Sequence, residues 1–214
     1  MRCSLFCATD GDAGRASGPR VVTKEELGAL RRRELGEAAR VLGIGTLVLP
    51  GHQDGKLGEA DQDRFIGEIV RFLREQRPEV VITFGPEGAP TGHRDHKVIS
   101  RAATAAFFLA GVATAYPDQL RIGREPWRAH RLYYKSWDPP PPDRELPSHA
   151  VEATARVDVA RHLPTKREAF LAHATQRDHI GRFESLEMRD EELYALASGV
   201  AQPKSVVRDL FEGL

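Results

Sequence analysis

The chain has 214 residues, with 31 basic and 31 acidic side chains and no net charge. That balance sets up no field for gripping nucleic acid or an anionic membrane, and neither is expected as a partner. No apolar run reaches the roughly 18–20 residues of a membrane span, so the sequence reads as one soluble, cytoplasmic domain over residues 1–214.

Read in chain order, residues 3–8 form a short apolar strand, and Cys3 and Cys7 stand four apart on it, too far for an easy disulfide. The TDGDAG stretch that follows is a loop. A helix fits 23–43: Thr23 caps it, Glu26 completes a capping box, Leu30, Leu35, Ala38, Ala39 and Leu42 form its stripe, and Gly43 stops it. TLVLP (46–50) is a second strand and GHQDGKLG (51–58) a polar loop. Residues 61–78 form an amphipathic helix with Phe65, Ile66, Ile69, Val70 and Leu73 on one face. EVVITF (79–84) reads as a strand buried on both faces. Strand, helix, strand, helix, strand predicts a three-layer, Rossmann-like α/β fold with a mostly parallel sheet.

Beyond it, residues 96–111 read as a helix, 130–137 as a strand, 151–160 as a strand and 163–173 as a helix. Prolines 139–142 make a rigid exposed loop, which could also serve an interaction protein. Tyr133 and Tyr134 should face opposite sides of their strand.

The stretch GPEGAPTGHRDHKVIS (85–100) holds the candidate site. Ligands of open parallel sheets sit beyond the carboxyl ends of the strands, where this segment hangs. The loops carrying Asp10 and Asp12, and His52 and Asp54, should open on the same edge. A His-x-x-His spacing on a helix puts two imidazoles on one face, and imidazole is a good zinc ligand. A hydrolytic zinc site takes three protein ligands and a water, more than this motif supplies. A plainer reading is that His93 and Asp95 cap the helix start.

The chain resembles the zinc-dependent de-N-acetylases of the LmbE-like group, which includes GlcNAc-phosphatidylinositol de-N-acetylases and the deacetylases of mycothiol and bacillithiol synthesis. The resemblance is carried by CATDGDAG (7–14), RRRELGEAARVLG (31–43), LPGHQDGKL (49–57), RPEVVITFGPEGAPTGHRDHKVISRA (77–102) and, more loosely, AFLAHATQ (169–176). It implies a metal-dependent hydrolase that removes an N-acetyl group from an acetamido sugar or related small amide, with Zn²⁺ as cofactor and an amino-sugar conjugate as small-molecule partner. It implies His96 as a metal ligand and His93 as the catalytic residue that stabilises charge and serves the leaving amine. Asp95 would orient His93, and Arg31, with Glu34, would lie at the substrate rim. For Arg31 the alternative is a solvent-facing salt bridge. His173 resembles a position near the cleft.

Arg94 stands where the family has proline, and the family's opening His-Pro-Asp-Asp stretch, source of two zinc ligands and the general base, has no counterpart in this sequence. The expectation is therefore an N-terminally shortened copy. The alternative function is a catalytically inactive member that retains ligand binding. Asp10 and Asp12 are either surrogate ligands or an Asx-type turn. A homo-oligomer is compatible with the sequence.

Overall fold

The computed structural model describes residues 2–18, 22–88, 92–136 and 152–214; the proline segment 139–142 and His149 lie outside them. Two compact units emerge, Met1–Leu57 with Val159–Asp190, and Gly58–Asp158 with Glu191–Leu214.

In the first unit, β1 (Ser4–Phe6) and β2 (Thr46–Val48) pair in parallel, Leu5 opposite Leu47, joined through helix α1 (Lys24–Val41). The predicted capping box is present: the Thr23 hydroxyl accepts from Glu26 N–H at 3.2 Å, and the Glu26 carboxylate accepts from Thr23 N–H at 3.0 Å. Gly43 follows with φ +69, a conformation that ends the helix cheaply only for glycine. The buried stripe of α1 includes Leu27, Ala38 and Ala39, whereas Leu42, expected inside, is the C-cap of the helix and is exposed.

The second unit has helices α2 (Gln62–Gln76), α3 (Arg94–Leu109) and the short α4 (Pro117–Arg121), and strands β3 (Val80–Phe84), β4 (Arg131–Ser136), β5 (Ala155–Asp158) and β6 (Glu191–Gly199). The strand order is β3-β4-β6-β5, with β3 and β4 parallel and β6 antiparallel to both neighbours. Helix α3 lays Phe107 with Ala129 and Leu132 on one face; Tyr133, Ala155, Val207 and Leu210 fill the other. Tyr133 and Tyr134 do face opposite ways: the first donates to Leu210 O at 3.3 Å, and the second shares a 2.8 Å hydrogen bond with Thr104. No helix among the described residues is long and apolar enough to cross a membrane.

One expectation changes. The strand at 79–84 is not buried on both faces: its residues are half-buried and Ile82 is 49% exposed. The reason is its place at a sheet edge, where among the described residues it has one hydrogen-bonded neighbour, β4. The parallel pairs β1–β2 and β3–β4 agree with the expected α/β fold, and the long C-terminal strand β6 enters the larger sheet antiparallel.

Two buried arginines hold irregular chain. Arg74, near the end of α2, donates to the carbonyls of Ala110, Val112, Ala115 and Tyr116. Arg131, fully buried, donates to those of Val200, Ala201, Leu210 and Glu212. Each guanidinium replaces water for carbonyls that regular structure leaves unpaired. Burial lowers the pKa of Arg74, a shift that leaves a guanidinium charged at neutral pH.

Helices α5 (Leu163–Leu171) and α6 (Ile180–Glu187) return the chain to the first unit, joined by a 3-10 segment at Ala174–His179. Phe170 and Phe183 stack at 4.2 Å between them.

Candidate functional site

In the second unit the chain leaves β3 at Phe84, turns twice and enters α3. Gly88 N–H bonds Gly85 O at 3.0 Å, and Gly92 N–H bonds Gly88 O at 2.8 Å. Gly88 is glycine for two reasons: its φ is +74, and a Cβ there would lie 3.0 Å from His93 O. This turn sets His93 at the N-cap of α3, where its Nδ1 accepts from Asp95 N–H at 3.2 Å. An accepting Nδ1 places the proton of a neutral ring on Nε2. One turn on, the His96 ring stacks on Phe84 at 4.0 Å and 8°, with the His93 ring 5.4 Å away. Asp95 is buried beside them. The structure thus gathers His93, Asp95 and His96 on one helical turn beyond a strand end, and His93 does cap the helix.

Glu87, in the same turn, is a residue the sequence reading missed. Its carboxylate lies against Gly85, and its Oε2 is buried with no hydrogen-bond partner. The signal was present in Gly-Pro-Glu-Gly: an acid between turn residues, just ahead of two histidines.

The first unit holds Arg31 and the loops after β1 and β2. Those two loops meet: Thr9 bridges His52, Asp54 N–H donates to Asp12 Oδ1 at 3.1 Å, and Asp54 Oδ2 accepts from Ala13 N–H at 3.2 Å. Asp10 pairs with Arg32, while its Oδ1 is buried and unpartnered. The expected Asx-type turn is therefore replaced. The acids bond a second loop and a helix, and Gly14 N–H to Gly11 O closes the backbone turn at 3.3 Å.

Arg31 is engaged with backbone rather than in the solvent-facing salt bridge that was the alternative. Its guanidinium donates to Gly11 O and, at 3.0 Å, to Arg15 O, and Nε is buried without a partner. Burial lowers its pKa, with Asp54, Glu34 and Asp12 opposing the shift. Glu34 turns instead to Thr175, accepting from its N–H at 2.9 Å and its hydroxyl at 2.7 Å. His173, half-buried nearby, has its pKa lowered by burial, an effect Glu34 opposes and Arg31 assists. The Cys7 thiol, its pKa raised by burial, donates to Thr9 O at 3.5 Å, and both cysteines are free.

As donors for a divalent transition ion, an imidazole and an orphaned carboxylate oxygen are the right chemistry. Their placement does not close a full coordination shell: among the described residues no three His, Cys, Asp or Glu side chains are gathered to hold a metal ion.

Strand, glycine turn and paired histidines at a helix start define an α/β protein of the LmbE type. The chain belongs to the family described as PIG-L: GlcNAc-PI de-N-acetylase, whose profile matches residues 1–107. It is 34% identical to a 1D-myo-inositol 2-acetamido-2-deoxy-alpha-D-glucopyranoside deacetylase of Rhodococcus jostii, over 84% of this chain and 68% of that protein. It is 25% identical to a mycothiol S-conjugate amidase of Streptomyces coelicolor, over 98% of this chain and 86% of that protein. Its fold matches N,N'-diacetylchitobiose deacetylase of Pyrococcus horikoshii with a TM-score of 0.70 at 19% identity, covering 89% of this chain and 71% of that one. A 4-carboxy-2-hydroxymuconate hydratase of Pseudomonas putida matches equally, TM-score 0.70 at 15% identity, over 95% of this chain and 87% of that one. A hydratase on the same fold means that the architecture alone does not select the reaction.

Proposed function

We propose that the chain acts, as one deacetylase-like domain, in metal-dependent hydrolysis of an N-acetyl group on an acetamido sugar conjugate or related small amide, giving acetate and the free amine. The observation that carries this reading is His93 and His96 on the first turn of α3, directly after a strand end, in a chain 34% identical to a deacetylase of an acetamidoglucosyl inositol. Zinc, expected for the family, would polarise the amide carbonyl and acidify a water.

The chain's own residues then have distinct tasks. His96 offers an imidazole nitrogen to the ion. His93, its Nδ1 occupied by Asp95 N–H, presents Nε2–H as a hydrogen-bond donor to the carbonyl oxygen as charge builds there. Asp95 orients that ring through its backbone. Arg31 acts at the substrate rim by fixing the 11–15 loop through two backbone carbonyls.

The test is direct. The purified 214-residue chain, loaded with zinc, is incubated with an N-acetylglucosaminyl inositol, and the freed primary amine is measured. Release that is lost in His93→Ala and His96→Ala supports the reading; no release from the folded, zinc-loaded chain refutes it. The second reading, a ligand-binding member without turnover, is favoured by the use of His93 as a helix cap. Sugar binding without amine release would select it.

A further inference from the structure

Helix α3 breaks a rule that α1 and α2 keep. The positive N-terminal end of a helix favours acids, and its C-terminal end favours cations. Helix α1 opens with Glu25 and Glu26 and closes with Arg40, and α2 opens with Asp63 and closes with Arg74. Helix α3 instead carries Arg94 at its first position and Lys97 three residues on, with no cation in its last turn. Its one early acid, Asp95, is buried, while Arg94, Lys97 and Arg101 are exposed. At about 100° and 1.5 Å per residue the three cations lie within roughly 60° of arc and about 10 Å of rise. Their i, i+3 and i, i+4 spacings are those at which like charges on a helix repel. Elsewhere on this unit Arg64 pairs with Glu68, Arg77 with Glu125, Arg121 with Asp118 and Arg124 with Glu75. Among the described residues none of the three cations on α3 has an ion-pair partner. The stripe starts at the candidate site: Arg94 follows His93 directly, and the Lys97 stem lies over Gly88, its Cγ 2.9 Å from where a Cβ on that glycine would stand.

We propose that Arg94, Lys97 and Arg101 form an anion subsite on the rim of the candidate site, and that the conjugate taken there is an acetamido sugar bearing a phosphate group. The inference rests on the hydrolase reading and adds the charge class of the substrate. A local conflict that gives the fold nothing is expected where a ligand relieves it. The two guanidiniums offer forked donors that match phosphate oxygens, and Lys97 adds a point charge between them along the helix. A phosphate monoester carries about −1.5 to −2 charges at neutral pH and three acceptor oxygens, enough to answer most of the stripe. A carboxylate, with a single charge, leaves more of the repulsion standing. The partial positive charge at the start of α3 acts in the same direction. A reach of about 10 Å fits one small conjugate rather than an extended acidic chain.

The experiment uses the 214-residue chain stripped with EDTA, so that no metal holds the phosphate, and titrates it calorimetrically with the 1- and 6-phosphates of N-acetylglucosamine and with N-acetylglucosamine itself. A phosphate ester should bind at least about tenfold tighter than the neutral sugar, the worth of one hydrogen bond to a charged group. That preference should shrink as NaCl is raised, because salt screens exposed charges. Combining Arg94→Gln, Lys97→Gln and Arg101→Gln should abolish the preference and, since the repulsion leaves with the charges, hold or raise the thermal midpoint. Arg121→Gln, at the surface pair with Asp118, serves as the control and should keep the preference. Far-UV circular dichroism checks that each variant is folded. Equal affinity for the phosphates and the neutral sugar overturns the proposal, as does a preference that survives in the folded triple variant. A chain indifferent to the sugar phosphates that binds polyglutamate through these three cations also overturns it, and assigns the stripe to an acidic protein. Amine release from the zinc-loaded chain separates this proposal from the hydrolase reading. Stripe-dependent phosphate binding without release removes the hydrolase and keeps the subsite; release indifferent to the phosphate and to the three substitutions removes the subsite and keeps the hydrolase.

Discussion

Glu34 on α1 grips Thr175 with both carboxylate oxygens, at 2.9 Å from its N–H and 2.7 Å from its hydroxyl, across a sequence separation of 141 residues. The same segment is laced to the loop after β1, since Ser17 N–H donates to Thr175 O at 2.8 Å and Asp178 N–H to Ser17 Oγ at 3.0 Å. The pair therefore ties helix, loop and 3-10 segment together within the first unit. Glu34→Ala leaves a buried N–H and a hydroxyl unpaired and should destabilise the fold by about 2–3 kcal/mol, measured by urea denaturation. Thr175→Ser, which keeps both donors, should cost much less. Equal losses in the two variants would show that packing, not the hydrogen bonds, holds the segment.

Arg31 makes the second prediction. Its forked guanidinium reaches two carbonyls of one loop, a geometry that a single ammonium cannot reproduce. Arg31→Lys should free the loop, raising hydrogen exchange at residues 11–15 and weakening sugar binding while leaving zinc affinity unchanged. Unaltered exchange combined with lost sugar binding would instead make Arg31 a direct substrate contact.

These cases mark what the sequence reveals. Local signals are legible: the Thr23 and Glu26 box, the stop at Gly43, and two histidines placed on one helical turn by their spacing alone. What escapes depends on contacts distant in sequence. Arg74 and Arg131 read as ordinary charged residues, yet both are buried, because the carbonyls they satisfy come from irregular segments at 110–116 and 200–212. β6 went unrecognised, since its pairing partner β4 lies far upstream. The exposure of Ile82 was equally hidden: an apolar strand looks the same whether it ends at a sheet's centre or its edge. In the site, Asp12 and Arg31 were recognised as residues, but their partners Asp54 N–H and the Gly11 and Arg15 carbonyls belong to the folded geometry.

Gly88 links backbone to site. Alanine there must adopt a φ of +74 and bring a methyl group to 3.0 Å from His93 O, which is main chain and cannot swing aside. Gly88→Ala should cost about 1–3 kcal/mol and displace His93 and His96 together, so zinc affinity should fall along with stability. Gly36→Ala is the contrast. Its Cβ would meet nothing within 4 Å in the interior of α1, and the change should stabilise the chain by about 0.5–1 kcal/mol without touching zinc affinity. Thermal denaturation with and without ZnCl₂ reads both; a Gly88→Ala chain as stable as wild type would show that the turn relaxes freely.

Alkaline pH tests the second unit. Tyr116 sits in the left-handed region at φ +49, its ring against Gly67, and its hydroxyl donates to both Asp63 O and Asp63 Oδ1 at 2.9 Å. Burial first, then the Asp63 hydrogen bond and charge, push its pKa from 10.0 to about 12. The sign follows from proton counting. Between those values the unfolded chain has released the tyrosine proton while the folded chain retains it, so folding is weakened as pH rises. The contribution is fully present below pH 10 and is lost as pH approaches the folded value of about 12. Urea midpoints should therefore fall between pH 9.5 and 11.5 more steeply in wild type than in Tyr116→Phe, which cannot ionise. In parallel, the absorbance titration at 295 nm should lose its late-ionising component in that variant. Identical slopes would mean that Tyr116 ionises in the folded protein as it does in the unfolded chain, and that the Asp63 contacts do not hold its proton.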